Sequence, residues 1–174
     1  KAMLFLALWL VAATIAVFFA MLQLDSAFVD GEYIPRTNDS FYHARRILDV
    51  AVGSRGFYEF DERLHVPDGA WVPWPWAYDY LVAKALQLWL VVDGGVDPIR
   101  FLAYVPVVWL VVNTALFLAA VTALDLSPGS RAVAMFAFAL APIVQLLHAV
   151  GMIDHHFIEL TFTSMLWLFS GRLS

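Results

Sequence analysis

AMLFLALWLVAATIAVFFAMLQL, residues 2–24, carries no charged side chain from end to end. A helix needs about 20 apolar residues to cross the hydrocarbon core of a bilayer. A signal peptide has a shorter apolar core and a small-residue cleavage site. The stretch therefore reads as a first transmembrane helix, with Lys1 on the cytoplasmic side. The rest of the chain agrees. Of its 174 residues 62% are hydrophobic, against about half in a soluble domain, and the excess lies in long unbroken runs. Cysteine is absent, which excludes a disulfide framework, a thiolate metal site and a cysteine nucleophile. The formal net charge is -5 with no basic patch, which argues against nucleic acid as a partner.

Working outward, residues 25–98 are mostly polar and aromatic and read as a long outer loop. Within it, Tyr80 to Val92 is apolar apart from Lys84 and Gln87, and follows Trp71, Trp74, Trp76 and Tyr78. A run this short suits an interfacial helix better than a span, and aromatic clusters belong at the membrane–water boundary. We place Ala77 to Val92 as a helix along the outer surface; as a short span it would invert everything downstream. Further spans are expected at about residues 99–124, 132–150, with Pro142 as a kink, and 157–171. Lys1, Arg131 and Arg172 then share one side, as positive charge favours the cytoplasm. The fold class is an all-α integral membrane bundle whose long first outer loop contains juxtamembrane amphipathic helices.

Two polar clusters fall on the outer face. In the first, Asn38 to Arg46 opens an amphipathic helix that runs to about Val52. Phe41, Ala44, Leu48 and Ala51 form its apolar stripe at helical spacing. Asp39, His43 and Arg46 lie on a different face. The plain role for Asp39 is to cap this helix, although Thr37 and Asn38 suit that job equally. The second cluster is Gly151-Met152-Ile153-Asp154-His155-His156-Phe157-Ile158-Glu159, between two apolar spans. Charge at a membrane end is costly unless it reaches water, a partner or an ion. Asp39, Asp154 and His156 together would make three ligands for a divalent cation, with positions left open for substrate. A carboxylate-rich set suits Mg²⁺, and a histidine shifts preference toward Mn²⁺. The plain alternative is a polar helix end with histidines at the lipid headgroups.

The order of these motifs resembles a known family. A first span is followed by Asp39-x-x-Tyr42-His43-x-Arg45, then Phe60-Asp61 with Pro67-x-Gly69 and a Trp/Pro-rich stretch. Gly151-x-x-Asp154-His155-His156-x-x-Glu159 then comes after a Pro-containing span. This is similar to the catalytic subunit of oligosaccharyltransferases, within the GT-C superfamily of membrane glycosyltransferases, and most like its archaeal members. The resemblance covers nearly all of this chain but only the first part of a family protein. It implies a GT-C-like helix bundle, a divalent cation as cofactor and a polyprenyl-phosphate-linked sugar donor. It also implies a protein or glycan acceptor, membrane lipids as surroundings, and a C-terminal remainder carrying acceptor recognition and another catalytic Glu. The resemblance makes Asp39 the residue that touches the ion and activates the acceptor, and Asp154 and His156 ion ligands. An Arg that some members carry before the second motif is replaced here by Leu147 and His148, so its role is not transferred.

Transfer from such a donor needs a leaving phosphate to be neutralised and an acceptor to be positioned at the anomeric carbon. His43, Arg45 and Arg46 are candidates for phosphate oxygens, with headgroup anchoring an equal role for the two arginines. His155 and Glu159 are candidates for supporting the ion, and Glu159 equally for capping the last span. Asn38-Asp39-Ser40 fits a glycosylation acceptor by chance. The expected activity is glycan transfer to a protein asparagine, with the active face on the non-cytoplasmic side of a prokaryotic membrane. The alternatives are transfer to a lipid or glycan hydroxyl, a non-enzymatic membrane subunit, or a haem protein using His148, His155 and His156. A transporter would carry charge mid-span, and the spans have almost none.

Overall fold

The computed structural model describes residues 2–56, 58–95 and 97–171; Lys1 and Arg172, two of the three charges used for orientation, lie outside them. Seven α-helices carry the fold among the described residues: α1 (Ala2–Met21), α2 (Asn38–Ala51), α3 (Trp76–Val92), α4 (Pro98–Ala123), α5 (Pro128–Leu140), α6 (Pro142–Leu147) and α7 (His156–Ser170). The long loop also holds two small antiparallel ladders that the all-α expectation lacked. In one, β1 (Phe28–Val29) pairs with β2 (Glu32–Tyr33); in the other, β3 (Phe60–Asp61) pairs with β4 (Ala70–Trp71). Asp30 and Gly31, both at positive φ, turn the first of them, as a two-residue hairpin requires.

α1 and α4 are long and apolar enough to cross a membrane. The third expected span is two helices, because Ala141 is extended (φ -62, ψ 126) before Pro142 restarts the helix. The residue before a proline is pushed out of the α region, so the expected kink is a break. Gln145 covers it by donating to the Ala139 and Ala16 carbonyls. The fourth expected span is a helix of 15 residues that ends at Gly171.

Small residues set the packing of α1. Ala12, Ala16 and Ala20, one helical turn apart and fully buried, let α4 and α5 approach closely, as small side chains do at helix contacts inside membranes. Leu4, Leu6, Leu10 and Phe18 of the same helix are exposed, as expected of a lipid-facing surface. The Arg131 guanidinium lies 4.9 Å from the Phe5 ring, and Gly171 abuts Ala123. The start of α1, the end of α4, the start of α5 and the end of α7 therefore meet at one end of the bundle. At the other end, the Gly151 N–H donates to the Ala103 carbonyl and its own carbonyl accepts from the Arg36 N–H. The first loop and the 151–156 loop thus share an end, as the sequence reading required.

α2 and α3 pack on each other and on α4 and α7 around Ile47, Val50, Val82, Leu86, Leu102 and Phe157. The apolar stripe of α2 is rotated from the expected one. Ala44 and Ala51 are buried, but Phe41 is 54% exposed, and the buried face runs through Ser40, His43, Arg46, Ile47 and Val50. A buried face containing an arginine and a histidine is stable only with ionic partners, and α3 supplies them.

Candidate functional site

Thr37 opens α2 by accepting from the Ser40 N–H at 3.1 Å, so Asp39 is not the cap. Asp39 stands exposed in the first turn. Ser40, its neighbour, touches Met152 Sδ at 3.8 Å, which brings the start of α2 to the 151–156 loop. One turn further, His43 is fully buried. Its Nδ1–H donates to Asp79 Oδ1 at 2.7 Å. Its Nε2 lies 3.6 Å from Asp154 Oδ1 and 3.4 Å from His155 Nδ1.

The 151–156 loop closes on itself around Asp154. Asp154 Oδ1 accepts from the His155 N–H at 2.6 Å and from His155 Nδ1–H at 2.9 Å. Asp154 Oδ2 faces His156 Nε2 at 3.7 Å, and His156 Nδ1 lies 3.0 Å from Glu159 Oε2. Burial pushes the Asp154 carboxyl up, but the His155 hydrogen bonds, helped by the His156 ring, outweigh it, so its pKa lies below the ordinary value. His155 is held above its ordinary value, chiefly by its bond to Asp154.

Two overlapping donor groups result, His43–Asp154–His155 inside and His155–His156–Glu159 at the surface. Two ligands of one divalent cation, each at about 2.0–2.2 Å, sit roughly 3–4 Å apart. Asp154 Oδ2 and His156 Nε2 meet that condition, and the half-exposed His156 ring leaves room for further ligands. The chemistry of the donor set fits the implied cation. Asp39 belongs to neither group.

The arginines expected at phosphate are engaged within the loop. Arg46 is buried and donates to Asp79 Oδ2 at 2.8 Å and to the Tyr58 carbonyl at 3.1 Å, so it faces inward. Arg45, about one third exposed, pairs with the fully buried Asp61. Asp61 also accepts from Arg63 N and Nε, each at 3.0 Å, and lies 3.7 Å from Arg55 Nη1. Tyr42 donates to Asp61 at 3.3 Å, and burial first, then Tyr58 and Asp61, pushes its hydroxyl up to about 12.

His148 bears on the haem alternative. Its Nδ1–H donates to the Val144 carbonyl at 2.8 Å, and its Nε2 accepts from Asn113 Nδ2 at 2.9 Å. Both ring nitrogens are taken, and neither is left for iron. Beside the site lies an apolar cavity of about 600 Å³, lined by Tyr78, Val82, Trp89, Phe101, Trp109 and Phe157, with Arg100 and Asp93 its charged members. Tyr78 and Phe157 pack edge-on at 5.5 Å, and Tyr78 lies 5.6 Å from the His43 ring, so cavity and cluster share a wall.

Sequence reasoning missed Asp79 and Asn113. Each had a signal, a polar residue inside an apolar run. Asp79, among Trp76, Tyr78 and Tyr80, was hidden by the surface position assigned to its helix.

No protein-family model matches this chain, and no curated protein sequence matches it. Two solved structures share its fold. One is the oligosaccharyltransferase of Archaeoglobus fulgidus in the apo form. The other is the archaeal oligosaccharyltransferase AglB from Archaeoglobus fulgidus in complex with an inhibitory peptide and a dolichol-phosphate. Each superimposes with a TM-score of 0.77 at 20% identity over 94% of this chain. The chain spans 19% of the length of each of these proteins.

Proposed function

We propose that this chain is part of a multi-pass membrane glycosyltransferase that moves a glycan from a polyprenyl-phosphate-linked donor to a protein asparagine, on the non-cytoplasmic side of a prokaryotic membrane. The observation that carries the reading is the meeting of α2 with the Asp154-His155-His156 loop at one end of the helix bundle. The likeness in fold to a protein solved with a peptide and a dolichol-phosphate supports the kind of donor and acceptor. A divalent cation, Mg²⁺ or Mn²⁺, would be held by Asp154 and His156, with Asp39 as the further ligand the resemblance implies. A cation held there would supply neutralisation of the charge on a departing phosphate.

The residues of the chain supply the rest. Asp154 presents Oδ2 to His156 while Oδ1 stays hydrogen-bonded to His155. Asp39, exposed at the start of α2, binds and orients the acceptor nitrogen. Glu159 steadies the His156 ring. The polyprenyl tail suits the apolar cavity between α3, α4 and α7, as hydrocarbon prefers walls of aromatic and aliphatic side chains. α3 lies along the outer surface of the membrane, and the remaining acceptor-binding groups come from other parts of the full-length enzyme. Asp39→Ala and Asp154→Ala are each expected to abolish glycan transfer from a lipid-linked donor to an acceptor peptide while the full-length protein keeps its helical circular dichroism. Wild-type transfer by either folded variant would overturn the reading.

A further inference from the structure

We propose that Asp79 is a positioning residue for the cation site, acting through His43 on Asp154; the inference rests on Asp154 being a cation ligand. Asp79 is fully buried on α3, among Tyr78, Val82, Ala83 and Leu86. A buried carboxylate costs several kcal/mol unless its oxygens are matched. Here both are matched, Oδ2 by Arg46 Nη1 at 2.8 Å and Oδ1 by His43 Nδ1–H at 2.7 Å. A plain ion pair would need Arg46 alone. The second oxygen does something more, because it fixes which His43 nitrogen carries the proton.

With Nδ1–H committed to Asp79, His43 turns Nε2 to the 151–156 loop. There it meets His155 Nδ1 at 3.4 Å and Asp154 Oδ1 at 3.6 Å. The His155 Nδ1–H, 2.9 Å from Asp154 Oδ1, is thereby held between an imidazole lone pair and a carboxylate oxygen. The rings of Tyr78 at 5.6 Å and Trp74 at 6.0 Å confine His43 from its sides. The order is Arg46, Asp79, His43, His155, Asp154. It ends by filling one oxygen of Asp154 from within, which leaves Oδ2 directed at His156. A carboxylate held in one rotamer binds a cation without first being ordered, and partners behind metal ligands commonly contribute about 10–100-fold in affinity.

The test is Mn²⁺ affinity of the full-length protein in detergent, read by electron paramagnetic resonance well below the unfolding temperature. Two variants are compared with wild type. His43→Phe keeps an aromatic ring and leaves the Asp79–Arg46 pair intact. Asp79→Asn keeps an acceptor for His43 but removes the charge. His43→Phe is expected to weaken Mn²⁺ binding by about 10–100-fold and Asp79→Asn by less, with near-ultraviolet circular dichroism retained in both. Wild-type affinity in the two folded variants overturns the inference. So does a loss of affinity confined to a variant that has also lost its tertiary signal, since that is a folding role. No Mn²⁺ binding by wild type would remove the reading of Asp154 itself, and the inference with it.

Discussion

Substituting Gly151 by alanine tests the joint that brings the two loops together. Gly151 has φ +80, and a Cβ added there would lie 2.7 Å from Ala27 Cβ, 2.9 Å from the Ile34 carbonyl oxygen and 3.2 Å from Arg36 Cγ. Two of these atoms cannot rotate away. The backbone cannot retreat either, because its N–H is bonded to Ala103 and its carbonyl to Arg36. The left-handed conformation costs a non-glycine residue roughly 1–2 kcal/mol, and overpacking a tight site costs about 1–3 kcal/mol. Their sum is about 2–5 kcal/mol, which lowers Tm by roughly 4–20 °C at about 2–4 °C per kcal/mol, the scale of a folding unit of about 150–250 residues. Gly31→Ala is the control. Gly31 has φ +89, but nothing lies within 4 Å of its added Cβ, so only the conformational part applies. Tryptophan fluorescence during heating of the detergent-solubilised protein gives both values. A Gly151→Ala Tm no lower than that of Gly31→Ala would refute the close approach and the joint built on it.

Two further outcomes follow from buried polar groups. Burial raises the Asp61 carboxyl, but the hydrogen bonds and charges of Arg63 and Arg45 outweigh it and hold it below its ordinary 3.8. The stability it contributes is therefore complete above that value and is lost as pH falls through the lower folded one. An acid melt should show wild type losing Tm below about pH 4, with Asp61→Asn less stable at neutral pH by on the order of 2–3 kcal/mol after allowing for the solvated arginines, flatter in the acid window and converging on wild type below it. Asn113, fully buried, donates to His148 Nε2 and the Phe157 carbonyl and accepts from Thr161; Asn113→Ala should cost about 2–4 kcal/mol, measured as a Tm shift with the same fluorescence assay.

Much of the fold was legible because apolar length is a strong signal. α1 starts with the apolar stretch 2–24 and stops at Met21, and α4, Pro98–Ala123, lies over the apolar residues 99–124. The polar start at Asn38 and the helical spacing after it foretold α2, while three residues, Thr37, Asn38 and Asp39, offered themselves equally as its cap. The face of α2 was not legible. Phe41 looks like core by composition, yet it faces outward while His43 and Arg46 turn in. Burial of those two depends on Asp79, which lies 36 residues from His43 in sequence, and no local pattern encodes a pairing across that distance. The break at Ala141 was foreshadowed by Pro142, but whether a proline bends or severs a helix depends on neighbours able to cover the freed carbonyls, here Gln145. Of the site, the Asp154-His155-His156 loop stood out because charge is conspicuous between apolar runs. Asp79 was overlooked for the opposite reason, as a single acid that aromatic neighbours made look interfacial.

The partners on which His43 depends have an implication for biosynthesis. Arg46, His43 and Asp79 all lie between residues 38 and 92, so every partner in this pairing has been made once α3 has emerged from the ribosome. Asp154 arrives some sixty residues afterwards. The charge pairing of the socket thus needs nothing from the later segment, whose Ile153 and Phe157 add only apolar walls to it.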